Sequence, residues 1–172
     1  MNVLCTKQNF NIIESIHPSE INEDINQCLL KKIKDKLGNK CNELGYIQKK
    51  SIQILDRTIG KINTSQFNGA INFDVNVSAD IYLPVKESII KCKILGSNQI
   101  GLFAISPPIH VIVAKIHHTN QEQQYLDSLQ VNDVINVKVI NYKFNLDDDH
   151  IKTITKFDFE NQENKNLLNG RN

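Results

Sequence analysis

The residues able to do chemistry in this chain are few and lie mostly in its second half. Lys115, Lys138, Lys143, His150 and Lys152 fall at polar positions of segments that read as strands. Cations on an extended surface are suited to phosphate oxygens, which demand charge and little exactness of geometry. Phe103, in Gly101-Leu102-Phe103, is an aromatic ring in the same region. On a strand Leu102 and Phe103 point to opposite faces, so one of them lies inside. Phe103 therefore either stacks on a base or plugs a core. His110, His117 and His118 suggest a metal, but their spacing is neither helical nor paired with a nearby cysteine, as a zinc site would have. Asp147-Asp148-Asp149 could hold a cation, yet it lacks the glycine and distal glutamate of a calcium loop. A polar hairpin turn fits it better. The chain shows no nucleophile elbow, no phosphate loop and no dinucleotide fingerprint.

Composition narrows the class further. The chain has 172 residues, 40% of them hydrophobic, and a net charge of +1. That is enough apolar content for a packed core and too little charge for long-range attraction to nucleic acid. Residues 1–85 carry ten Lys+Arg against nine Asp+Glu, and residues 86–160 carry eight against nine. Binding to RNA would have to come from a local patch plus stacking, and would be modest and salt-sensitive. Cys5, Cys28, Cys41 and Cys92 form no CxxC pair and read as free thiols. No apolar run reaches the ~18 residues of a membrane span, and the first ten residues lack the features of a signal peptide.

The elements that must position these residues divide the chain in two. From Ile71 to Leu83 apolar residues occupy every odd position, a period of two that marks a long, half-buried strand. Pro84 stops it, because proline cannot donate to a ladder. Upstream, Asn9 to Ile16 reads as a strand. Ser19 reads as a helix N-cap, and Ile21, Ile25, Cys28, Leu29, Ile33 and Leu37 share one helical face. Gly38 reads as the residue beyond the helix C-terminus. Lys31, Lys32, Lys34 and Lys36 form either a nucleic-acid patch or a solvated helix end, and the dipole argument favours the second. Asn39 to Gly45 reads as a loop, Tyr46 to Leu55 as one strand, and Gly60 to Gly69 as an exposed polar segment. The expectation for residues 1–84 is an α+β domain, one helix on a small antiparallel sheet.

Downstream the pattern is all strand: Ser88–Leu95, Gln99–Ile105, Ile109–Ile116, Val134–Phe144 and His150–Phe157. The phase slips between Val139 and Ile140, as at a bulge. A longer connection, Thr119 to Asn132, separates the third strand from the fourth. Five strands so spaced predict an oligonucleotide-binding barrel over residues 85–160. Residues 161–172 read as a loose polar tail.

Several short motifs, in order, carry a family resemblance. Ile16-His17-Pro18, the helix, Gly45-Tyr46-Ile47, Gly60-Lys61-Ile62, Phe73-Asp74-Val75 and Tyr82-Leu83-Pro84 resemble the seventh subunit of eukaryotic RNA polymerase II and its archaeal stalk counterpart. The second half resembles the family's RNA-binding barrel, of the type first named for a ribosomal small-subunit protein. The likeness runs from about Asn9 to Phe157. It implies a non-catalytic stalk subunit that docks on the core polymerase, pairs with a subunit-four-like partner, and offers nascent single-stranded RNA a barrel surface. By position it implies core contacts at Gly45, Tyr46, Gly60, Lys61, Gln66 and Phe67, within the loops Gly38–Gly45 and Thr58–Asn68. It implies no cofactor, no metal, no membrane and no small-molecule substrate. Where the family's barrel carries an aromatic before its glycine this chain has Ile100, and Ala114 stands where many such barrels carry a histidine. Losing one stacking ring removes ~1–3 kcal/mol per base, which implies weakened RNA binding. These departures, with a bias to Ile, Asn and Lys, point to a large DNA virus as source. The expected location is the nucleus if the source is cellular, and the virus factory or virion if viral. The rival expectation is a free-standing RNA-binding adaptor of translation or RNA decay using the same barrel. A small hydrolase or nuclease on a barrel scaffold comes third and would need a divalent metal at Asp147–Asp149.

Overall fold

The computed structural model describes residues 4–21, 24–64 and 68–160. The chain folds as two compact units, one of Cys5–Tyr82 and the other of residues from Leu83 onward together with Leu4.

The first unit is built on its long strand. Its strands are β1 (Leu4–Ile16), β2 (Lys40–Asn42), β3 (Gly45–Ile47), β4 (Gln53–Arg57), β5 (Lys61–Ile62) and β6 (Ile71–Leu83), and its helix is α1 (Ile25–Leu37). β6 is flanked by β1 on one edge. Along its other edge it pairs in turn with β5, β4 and β3, all antiparallel. Phe73, Val75, Val77, Ala79 and Ile81 are buried, as the odd-position alternation requires. Leu29 and Ile33 of α1 join them in one core with Ile16, Ile47 and Ile52. Each buried Val, Leu, Ile or Phe among them contributes about 1.5–3 kcal/mol through burial. This is one helix on a small antiparallel sheet.

Local chemistry corrects four expectations in this unit. Ser19 does not cap the helix. His17 instead opens a 3₁₀ turn over Pro18–Glu20, where Glu20 Oε2 accepts from the His17 N–H at 2.9 Å. The helix starts later, and Asp24 caps it by accepting from the Asn26 N–H at 3.2 Å; Ile21 therefore lies outside it. Gly38 ends the helix with φ −71°, and Asn39 takes the left-handed conformation at φ 59°. The segment expected as one strand from Tyr46 to Leu55 is two strands separated by a 3₁₀ turn at Lys49–Ser51. There Ser51 Oγ accepts from the Asp80 N–H at 2.8 Å, which ties the turn to β6. The loop expected from Asn39 to Gly45 contains β2, paired with β3 in a hairpin.

The second unit is a closed five-stranded barrel of β7 (Ile89–Ser97), β8 (Gly101–Ser106), β9 (Ile109–Ala114), β10 (Val134–Lys143) and β11 (Ile151–Phe157). Its order is β10-β11-β9-β8-β7, and β7 closes onto β10. β9 and β11 run parallel and the other pairs antiparallel. This is the oligonucleotide-binding arrangement. The register slips between Val139 and Asn141, at the phase change visible in the sequence, and again between Ile94 and Gly96. An extra residue sharpens the local twist that closure needs.

Inside the barrel Thr153 and Thr155 are fully buried. Their hydroxyls donate to the carbonyls of His110 (3.1 Å) and Ile112 (3.2 Å), so neither polar group is left unpaired. Cys92 is also buried, which pushes its thiol up to about 12. The long connection between β9 and β10 contains a second helix, α2 (Asn120–Ser128), which the sequence reading treats as a connection only. Thr119 Oγ1 accepts from the Glu122 N–H (3.4 Å), and Glu122 Oε2 accepts from the Thr119 N–H (2.7 Å). That reciprocal capping box, with Leu126 fully buried, holds α2 in place.

Candidate nucleic-acid interface

Strand register decides which of the candidate residues meet. On β8, Leu102 is fully buried and Phe103 is 37% exposed, so Leu102 fills the barrel and Phe103 faces out. Phe103 stands opposite Ile112 on β9, and Ile112 stands beside Ile154 on β11, which is 42% exposed. This makes a row of ring and aliphatic surface across the strands. Two residues along lies a second row. Ile105 is opposite His110, His110 is beside Lys152, and Lys152 is opposite Lys143. The barrel thus presents an apolar row next to a basic one on its outer surface.

His150 joins the second row from the turn before β11. Its ring stacks on that of His110 with centroids 3.9 Å apart and planes 21° from parallel. Its Nδ1 pairs with Asp149 Oδ1. That hydrogen bond, reinforced by the imidazole's charge, holds the Asp149 carboxyl below the usual carboxylate range. Burial, then the neighbouring His150, pushes the His110 pKa below the ordinary imidazole value. Asp148 is engaged elsewhere, accepting from the Asn145 N–H at 2.8 Å. Among the described residues neither Lys143 nor Lys152 is in an ion pair.

Phe103, Lys143 and Lys152 therefore lie on neighbouring rows of one outward face, with His150 beside the basic row. Lys115 and Lys138 are placed otherwise. Lys115 lies in a 3₁₀ turn after β9 and pairs with Asp127 of α2 at 2.6 Å. Lys138 sits on β10 opposite Lys156 and Ile89 and pairs with Glu87. Each cation already faces a carboxylate. His110 is the member of the face that the sequence reading considers only as a metal ligand. Its outward position follows from the alternation Ile109 in, His110 out, Val111 in. Its neighbours Lys152 and His150 lie some forty positions away, and only closure of the barrel brings them to it.

His118 and His117 have no place in this face. His118 Nδ1 donates to the Ala114 carbonyl (2.9 Å), and its Nε2 accepts from the Phe157 N–H (2.9 Å). That pair of bonds requires a neutral ring with its hydrogen on Nδ1. Burial lowers the pKa of His118 in the same sense. Its ring also lies edge-on to Phe159, with centroids 6.0 Å apart. It is a tie between the end of β9 and the end of β11.

In the first unit the positions singled out for docking have local structural duties. Gly45 has φ 132°, and a Cβ there would lie 2.5 Å from the Tyr82 carbonyl oxygen. Tyr46 pairs with Tyr82 across β3 and β6, their rings edge-on with centroids 6.4 Å apart. At Gly60 a Cβ would lie 2.4 Å from Ile71 Cγ2 and 2.7 Å from Phe73 Cε1. Lys61 is exposed on β5. Gln66 and Phe67 lie outside the described residues. Around Gly60, Ile59 is 89% and Ile62 71% exposed. A groove of ≈ 730 Å³ lies between α1 and β4, with Leu30, Ile54, Leu55 and Ile59 in its wall. Arg57 crosses it, its Nε donating to Asn26 Oδ1 at 2.6 Å. The exposed isoleucines are a feature the sequence reading, which took Gly60 to Gly69 as polar, does not anticipate.

No family model matches the sequence. The chain is 29% identical over 153 residues to a protein of Acanthamoeba polyphaga mimivirus named "Putative DNA-directed RNA polymerase subunit", the alignment covering 83% of this chain and 76% of that protein.

Proposed function

We propose that this chain is a non-catalytic stalk subunit of a multisubunit DNA-dependent RNA polymerase, whose barrel contacts nascent RNA. The observation that carries the reading is the barrel face, a row of Phe103, Ile112 and Ile154 beside a row of His110, Lys152 and Lys143. Rings stack on bases irrespective of sequence, and the lysines meet phosphates, which is the pairing of features that single-strand binders use. The similarity to a mimivirus protein named as a polymerase subunit supports the assignment to transcription.

The first unit supplies the docking end in this reading. Ile59 and Ile62 are large apolar side chains standing in solvent next to Gly60 and Lys61. Covering such surface is what a protein interface does. The core polymerase and a subunit-four-like partner are the proposed occupants. The proposed location is a virus factory or virion, in keeping with a viral relative. A free-standing RNA-binding adaptor would use the same barrel face but leaves Ile59 and Ile62 without a role.

Affinity purification of the tagged chain from its native source, with the co-purifying proteins identified by mass, tests this. Large polymerase subunits and a small partner in fixed ratio are the expected result. Ribosomal or decay factors alone, or RNA with no stoichiometric protein, would overturn it.

A further inference from the structure

The imidazoles of His110 and His150 stack on the barrel's basic row, an arrangement that phosphate contacts do not require. Three observations bear on it. His110 is exposed on the outer surface of β9 although its ring lies 3.9 Å, centroid to centroid, from that of His150. Some of the ring therefore still meets solvent, while the other side is braced. His150 is itself held by Asp149, so the brace cannot swing freely. Finally, register makes Phe103 and His110 diagonal neighbours on adjacent antiparallel strands, since Phe103 is opposite Ile112 and Ile105 is opposite His110. Diagonal positions of that kind are about 7–8 Å apart, within reach of large side chains.

Resting on the reading of this barrel face as an RNA surface, we propose that His110, braced by His150, is a stacking platform for one nucleobase of single-stranded RNA, and that Phe103 carries the adjacent base. The spacing suits an extended, unstacked strand, in which successive bases are splayed onto separate rings. Lys152 is next to His110, and Lys143 is opposite Lys152, so the backbone of the same two nucleotides runs over cations. Burial, then the neighbouring His150, lowers the proton affinity of His110 and so favours the neutral ring, whose π-face is free to stack on a base without a phosphate partner. This platform stands in for the ring positions that the chain lacks at Ile100 and Ala114. It also gives Asp149 a role, that of orienting His150 so that His150 in turn orients His110.

The test is fluorescence anisotropy of the full chain with a 5′-labelled oligouridine, measured over a range of salt for wild type, His110→Ala, His110→Phe and the Lys143→Ala/Lys152→Ala pair. His110→Ala should weaken binding by about 5-fold to 150-fold with an unchanged salt slope, because it removes stacking and no phosphate contact. His110→Phe should bind within about threefold of wild type, since a phenyl ring also stacks. In the wild-type chain the His110 ring-proton resonances should move upfield on adding RNA, a readout that does not depend on any variant folding. Wild-type affinity in His110→Ala with no upfield shift overturns the platform, while a weakened lysine pair in the same experiment leaves the RNA face standing. If the lysine pair binds like wild type, or the wild type does not bind, the RNA face itself fails and the platform with it.

Discussion

Lysines on the helix of the first unit and lysines on the barrel face have the same chemistry and different neighbours. On the first unit Lys32 reaches Glu20 (2.6 Å) and the Ser15 carbonyl (2.9 Å), Lys36 reaches Glu14 (3.0 Å), and Lys49 reaches Asp35 (2.8 Å). These cations tie α1 to the strand and turns beside it. On the barrel, Lys143 and Lys152 sit in register with each other and with His110, and the nearby Asp149 is held by His150. A charge count by halves cannot see this, because each half is close to neutral. What distinguishes a structural lysine from one available to phosphate is where the fold places the carboxylates.

Core and face differ most sharply at adjacent residues of β8. Leu102→Ala should cost about 2–5 kcal/mol of stability in a denaturant titration, because Leu102 is fully buried in the barrel. Phe103→Ala, which removes a ring 37% exposed, should lower the denaturation midpoint much less than Leu102→Ala does and weaken RNA binding as well. The reverse result would place the aromatic ring in the core. Next, Lys143→Ala with Lys152→Ala should weaken single-stranded RNA binding for all sequences alike. It should also lower the slope of log affinity against log salt by about 1.4, since each phosphate contact on a single strand contributes about 0.7. Lys32→Ala, made in parallel, should leave both affinity and slope as they are; a fall in either would turn the helix end into part of the RNA surface.

Smaller effects sharpen the account of how the barrel is held. Thr119→Ala removes the cap of α2 and should cost about 1 kcal/mol, read as a lowered midpoint of thermal unfolding. His118 offers a pH test. Its pKa is lowered in the folded state, chiefly by burial, so the unfolded chain binds the proton more tightly. Its contribution is therefore complete above an unfolded imidazole's value near ~6.5 and is lost as pH falls toward the lower folded value. A proton on Nε2 would also confront the Phe157 N–H with a second donor. The thermal midpoint of wild type should fall between pH 7.5 and 5.5, and His118→Asn should show a shallower fall over the same range. Equal slopes would mean that other groups carry the acid sensitivity.

Much of the fold is legible because it is written in local periodicity. Odd-position burial from Phe73 to Ile81, the five barrel strands and the slip beside Val139 follow from residues a few places apart. The second helix is legible too, in Thr119 and Glu122 at capping-box spacing, although its few apolar residues hide it from a search for periodicity. The break between β3 and β4 is not, because it arises from a bond between Ser51 and Asp80, distant in sequence. The helix starts at Asp24 and not at Ser19 because His17 and Glu20 close a turn of their own that competes for the same polar residues.

Alternation and turn chemistry within a few residues specify the long strand β6, the body of α1, the five barrel strands and the side of each strand that is apolar. Which lysines face carboxylates, and that His110 lies between Ile105 and Lys152 with its ring on His150, follow from the closed fold alone. Those neighbours are set by register between distant strands. Register depends on the closure of the barrel and on its bulges, each of which shifts every later side chain by one place.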